Sequence, residues 1–274
     1  MSETRVAVKH ATDNQWFENA ARAGFAISGV LHLLVAYIVL RLALGGPSPS
    51  GNADQSGALA TLASQTGGAV MLWVAVVGLV ALGLWRLAET ALGAHPSEAS
   101  GRQSDDDGGV IKRVKAFALA MVYFAMAVSA ARFAMGSGKS TGRANAGTSA
   151  QLMQSGWGRA LLILVGLVVI GIGGYHVYKG VSKRFEKDLK VSPGRAVTAV
   201  GVGGYTAKGL VFIGAGILVL VATLRFDPSK ATGIDGAVKA LGGAPFGKFL
   251  LILGALGIAA FGAYSFVRSR YARM

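Results

Sequence analysis

The sequence predicts an all-α integral membrane protein with six transmembrane helices, and three observations support that fold class. First, only 15% of the 274 residues are charged, 53% are hydrophobic and the mean hydropathy is +0.51, whereas a soluble domain carries about 25% charged residues. Second, six apolar stretches each reach the roughly 20 residues that an α-helix needs to cross a bilayer. Third, these stretches fall into repeated pairs, which indicates three copies of one helical hairpin.

The six predicted spans lie between short polar segments. They occupy 20–44 and 68–92 in repeat 1 (20–92), 111–135 and 157–180 in repeat 2 (111–180), and 197–224 and 247–269 in repeat 3 (197–269). The remaining segments are predicted to be a cytoplasmic or interfacial N-terminus (1–19), two cytoplasmic connectors (93–110 and 181–196) and a cytoplasmic tail (270–274). Apolar residues at helical spacing also predict a short amphipathic helix around Val238, with a counterpart around Leu59.

The first spans of the three repeats open with related motifs. Residues 24–32 and 204–212 both fit Gly-[Phe/Tyr]-x-x-x-Gly-x-x-[His/Phe], whereas the copy around Tyr123 is degraded, with Lys115-Ala116 at its start and Ala120 at the second glycine. The second spans share the spacing Gly-x9-Gly-x4-Gly. Because small residues let helices approach closely in lipid, we expect a helix-packing role for these glycines: Gly68, Gly78, Gly83, Gly156, Gly166, Gly171, Gly247, Gly257, Gly262, Gly29 and Gly209.

The repeats also predict an arrangement of the helices. Each copy contains two spans, so all three copies insert in the same orientation and are related by an axis along the membrane normal. We therefore expect three helical hairpins around a pseudo-threefold axis.

The distribution of basic residues predicts the orientation in the membrane. Seventeen Lys and Arg residues flank the N-terminus, the two connectors and the C-terminus, against nine on the opposite side. The positive-inside rule then places both termini in the cytoplasm. The net charge of +14 is explained by these flanking residues, so no nucleic-acid partner is expected. Anionic lipids at the cytoplasmic face are the expected partners of the basic connectors.

Lys208 is the main candidate for a functional residue, because it lies inside the fifth predicted span. Ionisable residues within spans usually face a bundle interior or a cavity, at a cost of at least about 2.5–3.5 kcal/mol. Ser28 occupies the matching position in repeat 1, and His32 and Tyr123 lie about one turn further along. These four residues could form a polar site on the repeat axis. The alternatives are that Lys208 extends towards the headgroups and that His32 is a hydrogen-bonded packing residue.

The other charged or glycine-rich patterns do not indicate a catalytic, nucleotide-binding or metal site. Arg86 and Glu89 are three residues apart on one helix face and are expected to form an ion pair. Gly136–Thr141 resembles the end of a phosphate-binding loop, but a membrane span precedes it where a strand is required. The four histidines show no metal-ligand spacing, and cysteine is absent. We therefore expect no metal, no cofactor and no enzymatic activity.

The tripled hairpin, the opening motif and the pattern Gly-x4-Gly-Leu-Trp-Arg-Leu-x-Glu at 78–89 resemble the bacterial membrane protein family known as domain of unknown function 1206. The resemblance covers about 20–270 and implies architecture and a bacterial plasma membrane, but no activity. Two functions remain open from the sequence. One is a pathway or binding site for a small solute, ion or lipid along the repeat axis. The other is a structural or assembly subunit, as a homo-oligomer or within a larger membrane or envelope complex.

Overall fold

The computed structural model describes residues 15–46, 51–92 and 107–272, and this part of the chain is almost entirely helical. Much of the predicted N-terminus 1–19, of the connector 93–110 and of the tail 270–274 therefore lies outside the described residues. The described ranges contain nine α-helices: α1 Gln15–Ala43, α2 Gln55–Ala63, α3 Gly68–Leu92, α4 Asp107–Ala134, α5 Thr141–Met153, α6 Gly156–Val181, α7 Arg195–Leu224, α8 Ile234–Gly242 and α9 Gly247–Tyr271. Two short 3-10 turns occupy Arg184–Asp188 and Pro228–Lys230.

Six of these helices (α1, α3, α4, α6, α7 and α9) are long and apolar enough to cross a bilayer, which confirms the predicted six-span fold. Large apolar side chains remain exposed on every one of them, for example Val77 on α3, Val122 on α4 and Leu164 on α6. Apolar surface on this scale marks contact with lipid or with another protein. The chain is a multi-pass membrane protein.

The three short helices α2, α5 and α8 lie together at one end of the bundle, here called the short-helix end; the opposite end, with residues 182–194 and Ala272, is the connector end. Val238 lies in α8 and Leu59 in α2, and both are buried, which confirms a short helix at each predicted place. The sequence analysis missed α5, which is polar along most of its length and starts after Ser140, whose side chain accepts a hydrogen bond from the Arg143 backbone N–H.

The helices pack in a definite order. The second span of each repeat packs extensively on the first span of the next: α3 on α4, α6 on α7, and α9 on α1. Within repeats 1 and 3 the two spans also pack together, whereas α4 and α6 of repeat 2 make almost no contact. The spans therefore form an open series, α4-α3-α1-α9-α7-α6. Because this series does not close into a ring, the pseudo-threefold arrangement stays a prediction.

Pairs of glycines hold the spans of successive repeats together at two of the three joints. A Cβ added at Gly173 of α6 would lie 2.6 Å from the carbonyl oxygen of Gly209 on α7. The matching pair is Gly262 of α9 and Gly29 of α1, where the corresponding distance is 3.0 Å. Backbones this close leave no space for a side chain, so these positions require glycine.

The third joint between repeats uses the equivalent positions with one change. Gly83 of α3 faces the Phe124 ring on α4, whose Cε1 would lie 2.9 Å from an added Cβ. Ala120 stands where the other two joints have a second glycine, and it is fully buried. The joint between α3 and α4 therefore needs glycine only on α3 and accommodates the Ala120 methyl group on α4.

The structure corrects the predicted glycine register in repeat 2. Gly171 has no heavy atom within 4 Å of an added Cβ, and Gly156 has only a guanidinium nitrogen of its own helix at 3.8 Å. The equivalents of the repeat 1 and repeat 3 glycines lie two residues later, at Gly158 and Gly173. Gly166 does pack against α7, as expected, but at a site of its own.

The first glycine of each second span has a different role from the predicted one. An added Cβ at Gly68, Gly158 or Gly247 would meet a carbonyl group in the last turn of the preceding short helix. These glycines therefore allow the tight turn into the span rather than contact between two spans.

The middle glycine explains why repeat 2 is open. A Cβ at Gly78 of α3 would lie 2.7 Å from Ile27 of α1, and one at Gly257 of α9 would lie 2.1 Å from Ala207 of α7. These are the contacts between the two spans of repeats 1 and 3. The corrected register places Val168 at this position in repeat 2. A valine side chain occupies the space through which the partner helix would approach.

Polar contacts tie the three repeats together at the short-helix end. The buried Asp235 carboxylate of α8 accepts hydrogen bonds from the Ala53 backbone N–H at 2.7 Å and from Lys239 Nζ at 2.8 Å. The Thr141 N–H of repeat 2 donates to Ser56 Oγ of repeat 1 at 3.2 Å. The polar network therefore joins segments that are far apart in sequence.

We predict that Gly173→Ala destabilises the protein by about 1–3 kcal/mol, because the methyl group would overlap the Gly209 carbonyl and overpacked cores cost this much. The matched control is Gly174→Ala, where an added Cβ meets nothing within 4 Å and alanine is the better helix former by about 0.8–1.0 kcal/mol. Unfolding in detergent measures both. Equal melting temperatures would contradict the glycine joint.

We predict that Asp235→Ala costs about 1–3 kcal/mol, since it leaves the buried Ala53 N–H without its acceptor. Asp227→Ala is the control, because Asp227 also pairs with a lysine, Lys230 at 3.3 Å, but is exposed. The Ser229 hydroxyl lowers the pKa of Asp227, and loss of this exposed carboxylate is expected to change stability little. Chemical unfolding of the two variants should differ; similar losses would show that the network is not stabilising.

Candidate functional site

Two of the four predicted polar residues, His32 and Lys208, contact the Phe261 ring of α9, and a third, Ser28, contacts His32. The His32 ring centroid lies 4.8 Å from the Phe261 ring centroid, and Lys208 Nζ lies 4.0 Å from it. His32 Nδ1 is 2.7 Å from the Ser28 carbonyl oxygen. A carbonyl can only accept, so Nδ1 carries the proton of this hydrogen bond. His32 and Lys208 are therefore packed against an aromatic ring rather than arranged around an open space.

Gly204 positions the Phe261 ring. An added Cβ at Gly204 would lie 2.5 Å from the Phe261 backbone nitrogen, so the glycine of the opening motif lets α9 come close to α7. The sequence analysis did not identify Phe261. The sequence did contain one indication of its role, because Phe261 directly precedes Gly262, a glycine expected at a helix interface.

Tyr123 lies apart from this group and packs against the hydrophobic core around α1 and α3. Phe212, its counterpart in repeat 3, lies 5.6 Å from the His176 ring and 5.8 Å from Lys208 Nζ, measured to ring centroids. The four predicted residues therefore do not surround a common space.

The predicted Arg86–Glu89 ion pair stays a prediction, because the Glu89 side chain lies outside the described residues. Among the side chains that the structure describes, no group of three or more His, Cys, Asp or Glu residues could hold a metal ion.

A half-open cavity lies elsewhere in the described chain, between α6 and α7 at the short-helix end. This cavity has a volume of about 440 Å³. Its walls are aliphatic side chains of the two spans, and the Phe212 ring forms its deep end. The wall residues are Leu162, Val165 and Val169 of α6 and Ala215 and Val219 of α7.

The other end of the cavity is polar. Its rim contains one face of α5, with further groups from α2 and the segment before α8: Thr141, Asn145, Thr148, Ser149, Asp54, Gln55 and Thr232. Most of these side chains are neutral. The Asp54 carboxylate accepts hydrogen bonds from Ser56 Oγ at 2.5 Å and the Gly57 N–H at 3.1 Å, which cap α2. The rim therefore offers hydroxyl and amide groups more than charge.

Sequence reasoning missed this rim, although part of its signal was present. Residues 141, 145, 148 and 149 follow the spacing of one helix face, and all four are polar. Their meeting with α6 and α7 depends on the packing order of the spans.

A second, more open cleft of about 760 Å³ lies at the connector end. Lys183 and Arg195 contribute positive charge to it, and Glu186 accepts a hydrogen bond from Thr198 Oγ1 at 2.6 Å. Neither this cleft nor the cavity is lined by Lys208 or His32.

Comparison with known proteins supports the repeat architecture. A family model described as Domain of Unknown Function (DUF1206) matches the chain three times, at residues 23–93, 114–183 and 203–272. The ends of the three matches agree with the register in which Gly68, Gly158 and Gly247 correspond. The chain is also 27% identical to the uncharacterized protein YxxB of Bacillus subtilis strain 168 over 264 residues, which cover 94% of this chain and 92% of that protein.

No solved structure matches the chain. The three tandem matches cover most of its length and follow the helical hairpins. The chain therefore belongs to the family defined by domain of unknown function 1206.

Proposed function

We propose that this protein binds a membrane lipid or lipid-like amphiphile in the cavity between α6 and α7, and that it is not an enzyme. The observation that carries the proposal is the change of character along the cavity, from hydroxyl and amide groups at the rim to aliphatic walls and the Phe212 ring at depth. A molecule with one polar end and one apolar end matches both parts.

The dimensions support a lipid. Leu162 and Val169 are seven residues apart, so the apolar wall extends about 10 Å along α6 at 1.5 Å per residue. One leaflet contributes about 15 Å of hydrocarbon, half the core thickness. The apolar wall therefore fits within one leaflet, with the polar rim near the headgroup level.

The geometry gives less support to an ion or solute pathway through the repeat axis. Lys208 Nζ lies over the Phe261 ring, and Lys208 lines neither the cavity nor the cleft described above. A cation–π contact of this kind returns roughly 0.5–2 kcal/mol, which offsets part of the cost of placing a charge in a span.

The proposal includes a location. The relative in Bacillus subtilis supports a bacterial plasma membrane. The excess of Lys and Arg on the connector side supports an orientation with both termini in the cytoplasm, which would place the cavity in the outer leaflet. Lys183 and Arg195 would then face the inner leaflet, where anionic lipid is attracted by about 1 kcal/mol per basic residue. We propose no nucleic-acid partner, because the basic residues are explained by the orientation in the membrane.

A second candidate is assembly with another membrane protein or a second copy of this chain. Gly171 and Gly174 of α6 have no heavy atom within 4 Å of an added Cβ, and exposed small residues on a span are typical of helix–helix interfaces in membranes.

We predict that the protein purified in mild detergent retains phospholipid, and that Val165→Trp lowers its occupancy about tenfold, equivalent to about 1.4 kcal/mol. Val165 lines the cavity, so the indole fills it. Leu167→Trp is the control, because Leu167 is exposed on the same helix but does not line the cavity. Native mass spectrometry measures bound lipid and oligomeric state together. Unchanged occupancy in Val165→Trp would reject the cavity. An oligomer without lipid would favour assembly.

We predict that Lys208→Met leaves lipid occupancy unchanged and does not lower the melting temperature. Methionine keeps the unbranched shape against Phe261 and removes a charge that costs at least about 2.5–3.5 kcal/mol in a span. Ion flux into liposomes is the opposing test. A flux that wild type supports and Lys208→Met abolishes would restore the axial pathway.

A further inference from the structure

We infer that the ligand is a bilayer phospholipid that places a single acyl chain in the cavity, and that this chain arrives sideways through an opening between α4 and α6. This inference rests on the proposed function. We call the opening the portal and define it by Val168 on α6 and by Leu119 and Val122 on α4.

The portal is a property of repeat 2. In repeats 1 and 3 the corresponding helices meet where Gly78 faces Ile27 and where Gly257 faces Ala207. Repeat 2 has Val168 at the glycine position, and it has Lys115 where the other repeats have Gly24 and Gly204. Two positions that permit close contact elsewhere are thus filled by larger residues, and α4 and α6 stay apart.

The portal and the cavity lie on the same face of α6. Val165, Val168 and Val169 stand at positions i, i+3 and i+4, which are neighbours on a helix surface. Val165 and Val169 line the cavity, and Val168 is 51% exposed. The cavity wall therefore continues directly into the surface on which a packed first span would have rested.

The α4 side shows the same absence of a partner. Leu119 is the counterpart of Ser28 and Lys208, both of which are partly buried within the bundle. Leu119 itself is 42% exposed and Val122 is exposed as well. Both edges of the portal thus present aliphatic side chains at the depth of the hydrocarbon core.

These edges determine what can pass. The named portal residues are all aliphatic, so an acyl chain can cross between them, whereas a headgroup would lose its hydrogen bonds with water. The headgroup therefore remains at the rim formed by α5. The cavity volume of about 440 Å³ lies towards the lower end of the range of about 300–1,000 Å³ for small-ligand sites, which suits one chain better than a whole two-chain lipid.

The test uses wild-type protein reconstituted in phosphatidylcholine vesicles that contain a phosphatidylcholine with a photoreactive diazirine near the end of one acyl chain. After illumination, mass spectrometry of peptides should place adducts on the cavity walls, at residues 162–169 and 212–219. Val168→Trp narrows the portal and should reduce adducts on 212–219 about tenfold, with wild-type melting behaviour. Leu167→Trp, at a site of similar exposure (54%) on the side of α6 away from the cavity, should label like wild type.

A second pair of variants tests closure directly. The chain has no cysteine, so Leu119→Cys with Val168→Cys can be joined by a short bismaleimide without other reactions. Joining them before the labelled lipid is added should prevent adducts on 212–219, and each single variant treated with the same reagent should keep them. Full labelling after joining would overturn the portal.

A third measurement separates the portal from the cavity. A photoreactive lysophosphatidylcholine is added to the protein in detergent, where no bilayer restricts the route. If this probe labels 212–219 while labelling by the bilayer lipid is unaffected by Val168→Trp and by closure, the portal is wrong and the lipid-binding cavity stands. If neither probe labels the cavity of the wild type, the proposed function fails too.

Discussion

The close contact between the second span of one repeat and the first span of the next is the constraint on which the rest of the structure depends. Lipid is as apolar as leucine, so spans in a bilayer are not driven together by burial and rely on close packing. Gly173 and Gly209 bring two backbones into contact, and Gly262 and Gly29 do the same at an equivalent joint. These joints fix the order of the spans. That order in turn decides which faces are left without a partner.

The cavity lies between α6 and α7, beside the unpartnered face of α6 that carries Val168. The joints between repeats tolerate little change, but the contact within a repeat is an independent one, made by Gly78 and Gly257. Replacement of this second glycine by Val168 separates α4 from α6 without disturbing the joint at Gly173. Each repeat uses separate residues for the joint with the next repeat and for the contact between its own two spans. A tandem array can therefore keep two repeats closely packed while the two spans of the third stay apart.

Hydropathy and spacing were sufficient for the six spans and the tandem repeats, because both are local or periodic properties of the sequence. The glycine register of repeat 2 was not predictable in the same way. Helix α6 contains seven glycines, so a spacing rule matches Gly156, Gly166 and Gly171 even though only contact with the next helix distinguishes Gly173. The cavity was also beyond reach, because its rim and walls come from segments that meet only after the spans have packed. Lys208 drew attention as a charge well inside a span rather than near its end, yet the structure places it against aromatic rings.

Those rings suggest why Lys208 is accommodated at its position. Several cations in the connector half of the bundle lie over an aromatic side chain: Lys208 over Phe261 at 4.0 Å, Arg268 over Phe25 at 4.2 Å and Lys179 over Tyr205 at 5.4 Å. The cavity rim at the other end is mainly neutral. A charge difference between the two halves is what orients a multi-pass protein, and aromatic rings reduce the cost of keeping cations near the core. Lys208 thus belongs to a set of cations that lie over aromatic rings, whereas the lipid binding we propose depends on the position at which repeat 2 has valine in place of glycine.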